Sequence, residues 1–492
     1  MTQLCVSLTE ETTAGLLDRM ERLAGVADLF EIRADLVLDL DLLTLLRARR
    51  KPLLLTCLPV AEGGRWQDHD PQRRLTLLEG IKRGFDYVDV DFRSSYLDVM
   101  MEKSGRGLIV SYHDLTGTPA DLDALYTRMA DCGADVVKIA VSARSVADVG
   151  RLLAFASRVA AGSGPPLIPL AMGPLGIITR VVAGRYRAPF TYAAAAEGAE
   201  AAPGQLPAVV MADMYRVRNV TPATRVYGVL GSEAARSLSP MLHNRAFKAR
   251  QLDAVYVPLQ AEALEPFVQW LPALDLAGFS VTRPYKVAIV PHLDAVEEAA
   301  AVCGSVNTVT LRNGALQGAT TDGAGVLIPL RKRTEVKAKS VVIVGAGGAA
   351  RAAALALRRT GARVTILGRD LAKAAASAQA AGCAHGALKD LATYPWDILI
   401  NATPLGSASA RDLTPVPARF HRAGTIAFDM VYDPLATRFL REAQAAGCTI
   451  IDGLEMLLAQ AIVQFEAWTE LEAPVDEMKA AALVLAQKQE ES

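Results

Sequence analysis

Lys138 lies inside an apolar run, Val136-Val137-Lys138-Ile139-Ala140. Taking an ammonium out of water is expensive, so a lysine in such a run either snorkels to a rim or is kept there for chemistry. An inward-facing amine is expected to have a depressed pKa and suits imine formation with a ketone. His113 closes a second run, Leu108 to His113. An imidazole there is a general acid-base near neutral pH, unless backbone groups merely satisfy it. Arg33 and Arg180 are cations able to grip a carboxylate bidentately, with a surface helix charge as the alternative for Arg180.

A second set of residues points to nucleotide chemistry. Gly345-Ala346-Gly347-Gly348-Ala349-Ala350 directly follows the apolar Val341–Val344 and opens an alanine-rich stretch. Glycines let a backbone approach a pyrophosphate, and a helix N-terminus supplies unpaired N–H donors. A tight turn with no ligand is the plainer alternative. The next strand ends in Gly368-Arg369-Asp370, where an adenosine ribose would lie. An arginine there favours a 2′-phosphate and an aspartate a free 2′-hydroxyl. Lys286 and Asp322 are a candidate proton-transfer pair beside a reacting carbonyl, or surface charges. Ser237 and Ser239 begin a helix, and their hydroxyls either hold a polyol or carboxylate or cap that helix.

Placing these groups requires a scaffold of many strands. Apolar, β-branched runs begin near Cys5, Leu29, Pro52, Tyr87, Leu108, Val136, Pro166 and Phe190, each followed by an amphipathic stretch at helical spacing. Eight such units before about Val220 predict a (β/α)8 barrel, with a doubly wound open sheet as the competing architecture. In a barrel the polar residues at the strand ends, Glu31, Arg33, Thr56, Asp89, Asp91, His113 and Lys138, converge on one pocket. After a short linker a small α/β segment runs to about Thr321, a βαβ nucleotide unit follows, and a helical stretch runs from Leu454 to Lys488. Three structural units are therefore expected in 492 residues, in line with about 150 residues per domain.

Composition narrows the function classes. Lys+Arg 52 against Asp+Glu 53 leaves a net charge of -1, without the basic excess that nucleic-acid or polybasic membrane binding needs. The six cysteines are far apart with no CxxC pair, which argues against a disulfide framework or a cysteine zinc site and for a reducing cytoplasm. The opening MTQLCVSLTEETTAG lacks the basic and apolar regions of a secretory signal, and no apolar run approaches the roughly 18 residues of a membrane span. A soluble cytoplasmic enzyme is expected.

From end to end the chain resembles the bifunctional type I 3-dehydroquinate dehydratase–shikimate dehydrogenase family. The dehydratase-like marks are EIR at Glu31–Arg33, EGG at Glu62–Gly64, SYHD around His113, VKIA around Lys138, MGxxGxxxR ending in Arg180, and APGQ at Ala202–Gln205. The dehydrogenase-like marks are SLSPxxHNxAF from Ser237, FSVTRPYK from Phe279, VNT at Val306–Thr308, TTDGAG around Asp322, GAGGAA, NATPLG from Asn401, DMVYDP from Asp429 and QAxxQF from Gln460. The resemblance implies a barrel over residues 1–219, a substrate-binding α/β domain over 225–325 completed by helices in 454–492, and an NADP-binding Rossmann domain over 326–453. It implies that Lys138 forms an imine with 3-dehydroquinate while His113 moves the proton, with Glu31, Arg33, Arg180 and Gln205 orienting the substrate and Asp91 supporting His113. In the second half it implies that Ser237, Ser239, Thr282, Asn307, Tyr432 and Gln460 grip 3-dehydroshikimate and that Lys286 and Asp322 supply a proton. NADP is expected on Gly345, Gly347, Gly348, Ala349, Arg369, Asn401 and Thr403, with no metal.

The chain departs from the family pattern at named places. An arginine two residues after the strand-three threonine is Leu58, with Arg65 nearby. The glutamate that helps position the histidine is matched by Asp91, and the serine before APGQ is Ala201. The Asn-Arg-Thr of the second dinucleotide strand is Gly368-Arg369-Asp370, and the Asn of its NTD is Thr320. Two further readings stay open on the sequence: a Schiff-base aldolase barrel fused to a dehydrogenase, and an active dehydrogenase, quinate- or NAD-preferring, fused to a weak or degenerate barrel. Arg369, helped by Lys373 one turn on, favours NADP.

Overall fold

The computed structural model describes residues 1–67, 71–94, 96, 99, 102 and 107–490. Eight strands open the chain: β1 (Gln3–Leu8), β2 (Leu29–Arg33), β3 (Leu53–Thr56), β4 (Tyr87–Asp91), β5 (Gly107–Asp114), β6 (Val136–Ser142), β7 (Leu167–Met172) and β8 (Phe190–Ala194). They form one sheet in the order β7-β6-β5-β4-β3-β2-β1-β8, and each of the neighbouring pairs is parallel. Helices follow β1, β2, β3, β5, β6 and β7, the helix expected after β4 lies outside the described residues, and the pairing of β8 with β1 wraps the sheet into a nearly closed (β/α)8 barrel.

The two-residue period of a strand decides what fills that barrel. Cys5, Leu29, Leu54, Tyr87, Ile109, Val136, Ile168 and Phe190, one from each strand, belong to a single apolar cluster. Two residues further along the same faces stand Ser7, Glu31, Thr56, Asp89, Ser111, Lys138, Leu170 and Tyr192. The interior is therefore an apolar floor under a mainly polar layer at the C-terminal strand ends. Phe190 locks the floor, with its ring edge-on to Tyr87 at 5.6 Å and to Tyr192 at 5.5 Å.

The chain divides into two compact units: Met1–Gly228 with Ser232–Arg236 and Asp253–Leu276, and Val229–Gly231 with Ser237–Leu252 and Ala277–Ser492. In the first unit, Trp270 of the helix Leu264–Leu274 seats on Gly150 of the helix Val146–Ala161, where an added Cβ would lie 2.7 Å from the indole. A second sheet contains β9 (Arg225–Gly231), β10 (Ala254–Gln260), β11 (Leu276–Val281), β12 (Ala295–Val296), β13 (Thr308–Arg312) and β14 (Ala315–Ala319), in the order β10-β9-β11-β13-β14-β12. A third contains β15 (Ser340–Val344), β16 (Arg363–Gly368), β17 (Ala384–Ala387), β18 (Ile398–Asn401), β19 (Ile426–Asp429) and β20 (Thr449–Ile451). Its order, β17-β16-β15-β18-β19-β20, is all parallel. Counted from β15 this is 3-2-1-4-5-6, the doubly wound dinucleotide arrangement, and its switch point lies between β15 and β18. Alanines 350, 353 and 354 are small enough for the helix Gly348–Arg359 to lie close on that sheet.

Phe190→Ala removes the ring that joins the barrel floor to its polar layer. It should cost about 3–5 kcal/mol of stability, read by urea unfolding. A loss under about 1 kcal/mol would mean that the floor does not depend on that ring.

Candidate active sites

Lys138 is delivered into the barrel by β6, whose inward positions are Val136, Lys138 and Ala140. It is only 4% exposed. Its Nζ lies 2.8 Å from Asp89 Oδ2, 3.8 Å from Glu31 Oε1 and 4.7 Å from the centroid of the Tyr192 ring. Burial opposes the ammonium, but Asp89 and Glu31 outweigh it and raise Lys138 above the ordinary lysine value. The depressed pKa expected from the apolar run is therefore corrected: the run supplies the desolvation, and two carboxylates from other strands reverse its effect. Glu31 is itself held by the Ser7 hydroxyl at 2.6 Å and the Thr56 hydroxyl at 2.8 Å. Gln205 reaches the same Ser7 at 3.2 Å while its carbonyl accepts from the Ala201 amide at 2.8 Å.

His113, at the end of β5, is buried with its Nδ1 2.8 Å from Glu62 Oε2. Burial, with Lys138 adding to it, pushes His113 down to about 3, and burial pushes Glu62 up to about 8. At neutral pH the imidazole is thus an uncharged base. Asp91 is not its support. That carboxylate pairs with Arg73, a buried arginine of the helix Pro71–Arg83 whose Nε also donates to the Cys57 carbonyl at 2.8 Å. The residue beside His113 is Glu62, in the short turn Val60–Glu62 after β3. The sequence marked the Glu62-Gly63-Gly64 motif without a role for the acid. Its loop is tight: a Cβ on Gly64 would meet the Leu58 carbonyl oxygen at 1.9 Å.

Arg33 and Arg180 differ in their freedom. Arg33 is locked onto Asp35 through Nε and Nη2, at 2.9 and 2.7 Å. Arg180, in the helix Ile177–Val181, is buried rather than a surface charge, and burial brings it down to about 10. Its Nη2 donates to the Pro203 carbonyl at 3.3 Å, and its Nε has no hydrogen-bond partner. An anionic ligand would therefore meet a desolvated cation at Arg180. The sequence placed Asp89 in the pocket without a part of its own, marked Glu62 only within a motif and did not single out Tyr192, because only the folded sheet brings these residues from separate elements to Lys138 and His113.

In the second unit Asp322 is fully buried at the start of the helix Asp322–Arg331. Lys286 Nζ grips both its oxygens, at 2.8 and 2.7 Å. Asn307 Nδ2 donates to Oδ1 at 3.0 Å, and Gln460 Nε2 donates to the same oxygen at 2.6 Å. Three sequence-separated candidates thus meet on the carboxylate of a fourth. Tyr432 lies at the base of the helix Gly453–Thr469 that carries Gln460, since a Cβ on Gly453 would come within 2.8 Å of the Tyr432 amide nitrogen. Thr282 follows β11, where its methyl would meet a Cβ on Gly231 at 2.5 Å. Ser237, one residue ahead of the N-cap Leu238 of the helix Ser239–Ala249, accepts from the Ser239 amide at 3.2 Å, and Ser239 is buried.

The dinucleotide crevice lies at the switch point of β15 and β18. Gly345 has φ +119°, and a Cβ there would lie 2.9 Å from the Ala402 carbonyl oxygen. Gly347 caps the next helix with nothing within 4 Å of its missing Cβ, which is the open cradle a pyrophosphate needs. Gly348 begins the helix against Ser305, and Ala349 follows in the first turn. Gly323, next to Asp322, abuts Ala356 of the helix Gly348–Arg359, so the Lys286–Asp322 pair and the crevice share one wall. Arg369 is exposed, while the Asp370 carboxylate caps the helix Leu371–Ala381 by accepting from the Lys373 amide at 3.1 Å. Asn401 does not face the crevice as a free group. It is fully buried and saturated by Thr403, Leu405 and Asp429, so it shapes the loop that sets Thr403 beside Gly345. Among the described residues no group of three or more His, Cys, Asp or Glu side chains is placed to hold a metal. No helix among them is long and apolar enough to cross a membrane.

Comparison with known proteins agrees with this division of labour. Residues 4–222 match the type I 3-dehydroquinase family and residues 229–309 the shikimate dehydrogenase substrate binding domain. Residues 329–409 match shikimate / quinate 5-dehydrogenase, and 453–483 the shikimate 5'-dehydrogenase C-terminal domain. A chloroplastic bifunctional 3-dehydroquinate dehydratase/shikimate dehydrogenase of Arabidopsis thaliana is 35% identical over 91% of this chain and 78% of its own length. A shikimate biosynthesis protein of Chlamydia pneumoniae is 30% identical over 94% of this chain and 95% of its own length. The solved shikimate 5-dehydrogenase of Thermus thermophilus, in complex with NADP(H) and shikimate, is 35% identical with a TM-score of 0.50. That alignment covers 53% of this chain and 99% of the other. A barrel built round a buried lysine, followed by a dinucleotide fold beside a lysine–aspartate pair, together with full-length relatives of both kinds, means that this chain belongs to the bifunctional 3-dehydroquinate dehydratase/shikimate dehydrogenase family.

Proposed function

We propose that the protein dehydrates 3-dehydroquinate to 3-dehydroshikimate in its barrel and reduces 3-dehydroshikimate to shikimate with NADPH in its second half. The observation that carries this reading is the buried Lys138 held by Asp89 within the polar layer that also contains Glu31. The domain assignment is residues 1–219 for the dehydratase, 225–325 with the helices of 454–492 for substrate binding, and 326–453 for NADP. The family matches at 4–222, 229–309, 329–409 and 453–483 support it. All six cysteines are free thiols, which supports a cytoplasmic setting.

In the barrel, the resting ammonium of Lys138 passes a proton to Asp89, and the freed amine attacks the substrate ketone. Loss of water gives a cationic imine, which acidifies the adjacent C–H. His113, uncharged and held by Glu62, takes that proton and returns it to the leaving hydroxyl, which departs as water. Hydrolysis of the imine then releases 3-dehydroshikimate and restores the lysine. Glu31, with Ser7, Thr56 and Gln205, orients the ring hydroxyls, and Arg180 meets the carboxylate.

In the second half, NADPH supplies the hydride when bound. Gly345, Gly347, Gly348 and Ala349 would line its pyrophosphate, Thr403 the adjoining edge and Arg369 the 2′-phosphate. Asp370 is occupied as a helix cap, which leaves Arg369 as the strand-end group to address the ribose. Lys286 gives a proton to the carbonyl oxygen as it becomes a hydroxyl, and Asp322 holds that ammonium in place. Asn307 and Gln460 fix the carboxylate, and Ser237, Ser239, Thr282 and Tyr432 complete the grip on the substrate.

Pure protein given 3-dehydroquinate and NADPH should form 3-dehydroshikimate and then shikimate. Borohydride added with 3-dehydroquinate alone should leave a ligand mass on the Lys138 peptide, which Lys138→Ala abolishes; labelling of another residue would end the imine mechanism. Asp89→Asn should lower the pH at which Lys138 titrates, read by the pH dependence of its modification, because the closer of two carboxylates is gone. An unchanged titration would show that Asp89 is not what keeps the amine charged. Arg369→Ala should weaken catalytic efficiency with NADPH by about ten- to a hundredfold, the worth of one charge-assisted contact, and leave NADH nearly unaffected. Equal losses with both cofactors would remove Arg369 from 2′-phosphate recognition.

A further inference from the structure

The two oxygens of Glu62 live in different surroundings. Oε2 faces His113 Nδ1 at 2.8 Å, whereas Oε1 is buried with no hydrogen-bond partner. The cation that faces Oε1 is Arg93, with Nη1 at 3.7 Å. Arg93 belongs to the short turn Phe92–Ser94 directly after β4. The same Nη1 donates to the backbone carbonyl of His113 at 3.2 Å, and the guanidinium lies over the Tyr112 ring with its carbon 4.3 Å from the centroid. One arginine therefore holds the strand end that carries the imidazole and also faces the carboxyl that orients it.

Among the described residues, the other charges acting on Glu62 are already committed. Lys138 and Asp89 are paired with each other, and Arg73 is paired with Asp91. Arg65, close in sequence, pairs with Glu11 and is 56% exposed. Two residues past β3, and four before Glu62, stands the apolar Leu58. The charge opposite Glu62 thus comes from the turn after β4. The side chain of Arg93 is 42% exposed while that of Glu62 is wholly buried, so the arginine connects the dyad to the barrel mouth.

We propose that Arg93 is a positioning residue for the dehydration step: it favours the carboxylate form of Glu62, which in turn steadies the imidazolium that forms when His113 takes the substrate proton. The proposal rests on the reading of His113 as the base. Without the guanidinium, burial acts on Glu62 unopposed by its main cation, and the dyad stays neutral to higher pH. Arg93→Lys keeps the charge but loses the planar fork, and should recover part of the effect.

The test uses the full-length protein and dehydratase steady-state rates across pH. Arg93→Gln should lower kcat at neutral pH by about tenfold, move the rising limb of the kcat profile to higher pH, and change KM for 3-dehydroquinate by less than about twofold. Arg93→Lys should bring the limb back toward wild type. In a Glu62→Gln background, Arg93→Gln should cost nothing more. An unmoved limb in a folded Arg93→Gln protein, or an undiminished tenfold loss in the Glu62→Gln background, overturns the proposal. Borohydride trapping of wild type separates the two levels. If 3-dehydroquinate labels Lys138 and the limb does not move, only the role of Arg93 fails. If it labels nothing, the barrel mechanism and this proposal fail together.

Discussion

A buried ammonium must be met by negative charge, and the barrel is built around that requirement. Lys138 stands where an uncompensated charge would cost several kcal/mol. Asp89 from β4 and Glu31 from β2 answer it. Those carboxylates then need donors of their own, and Ser7 and Thr56 provide them for Glu31. The polar layer is a set of paired groups around Lys138 and Glu31, with Asp89 Oδ1, Ser111 Oγ and the Tyr192 hydroxyl left without hydrogen-bond partners among the described residues. It sits on an apolar floor that supplies packing, and the two-residue period of each strand separates the floor from the layer.

The second half solves the same problem in another way. Asp322 is the fully buried member, and Lys286 is the partner that reaches toward solvent. Amide donors from Asn307 and Gln460 fill the remaining valence of the carboxylate, so the pair has one geometry. Gln460 arrives from the long helix Gly453–Thr469, which makes that helix part of the site rather than a terminal appendage. Asp429, buried and raised to about 7, plays a comparable role for the loops beside the dinucleotide crevice. It accepts from Asn401, Val431 and Thr437 and so ties the loop after β18 to the loop that carries Tyr432.

The contrast between the two sites follows from chemistry. On the proposed reading Lys138 must be able to lose its proton, and the barrel places the Asp89 carboxylate 2.8 Å from it and a neutral imidazole nearby. On the proposed reading Lys286 has to be held in register with the substrate oxygen until it gives up its proton, and a carboxylate held by three side chains does that. The cofactor crevice asks for even less from side chains. Backbone at Gly345 and Gly347 forms the cradle, and Asn401 holds the adjoining loop in shape.

Much of this was legible in the chain itself. Strand–helix periodicity is local, so the eight units of the barrel, the βαβ turn at Gly345–Ala350 and the strand-end clustering of Glu31, Thr56, His113 and Lys138 could be read from residue order. Lys138 was conspicuous because a lysine inside an apolar strand violates the local pattern. What residue order could not contain was which side chains meet across strands. The support of His113 was sought in Asp91, two residues beyond Asp89 on the same strand face, but barrel closure turns Asp91 toward Arg73 and brings Glu62 in from a loop. The sign of the Lys138 shift depends on two carboxylates from β2 and β4, 107 and 49 positions away in sequence, so the apolar run alone suggested the opposite. Arg369 and Asp370 are neighbours whose order does not say how each is used, and only the folded chain shows the Asp370 carboxylate capping the following helix. Local pattern determined the elements and named the reactive groups. Charge compensation, which acts through space at a few ångströms, was decided only when the sheets closed.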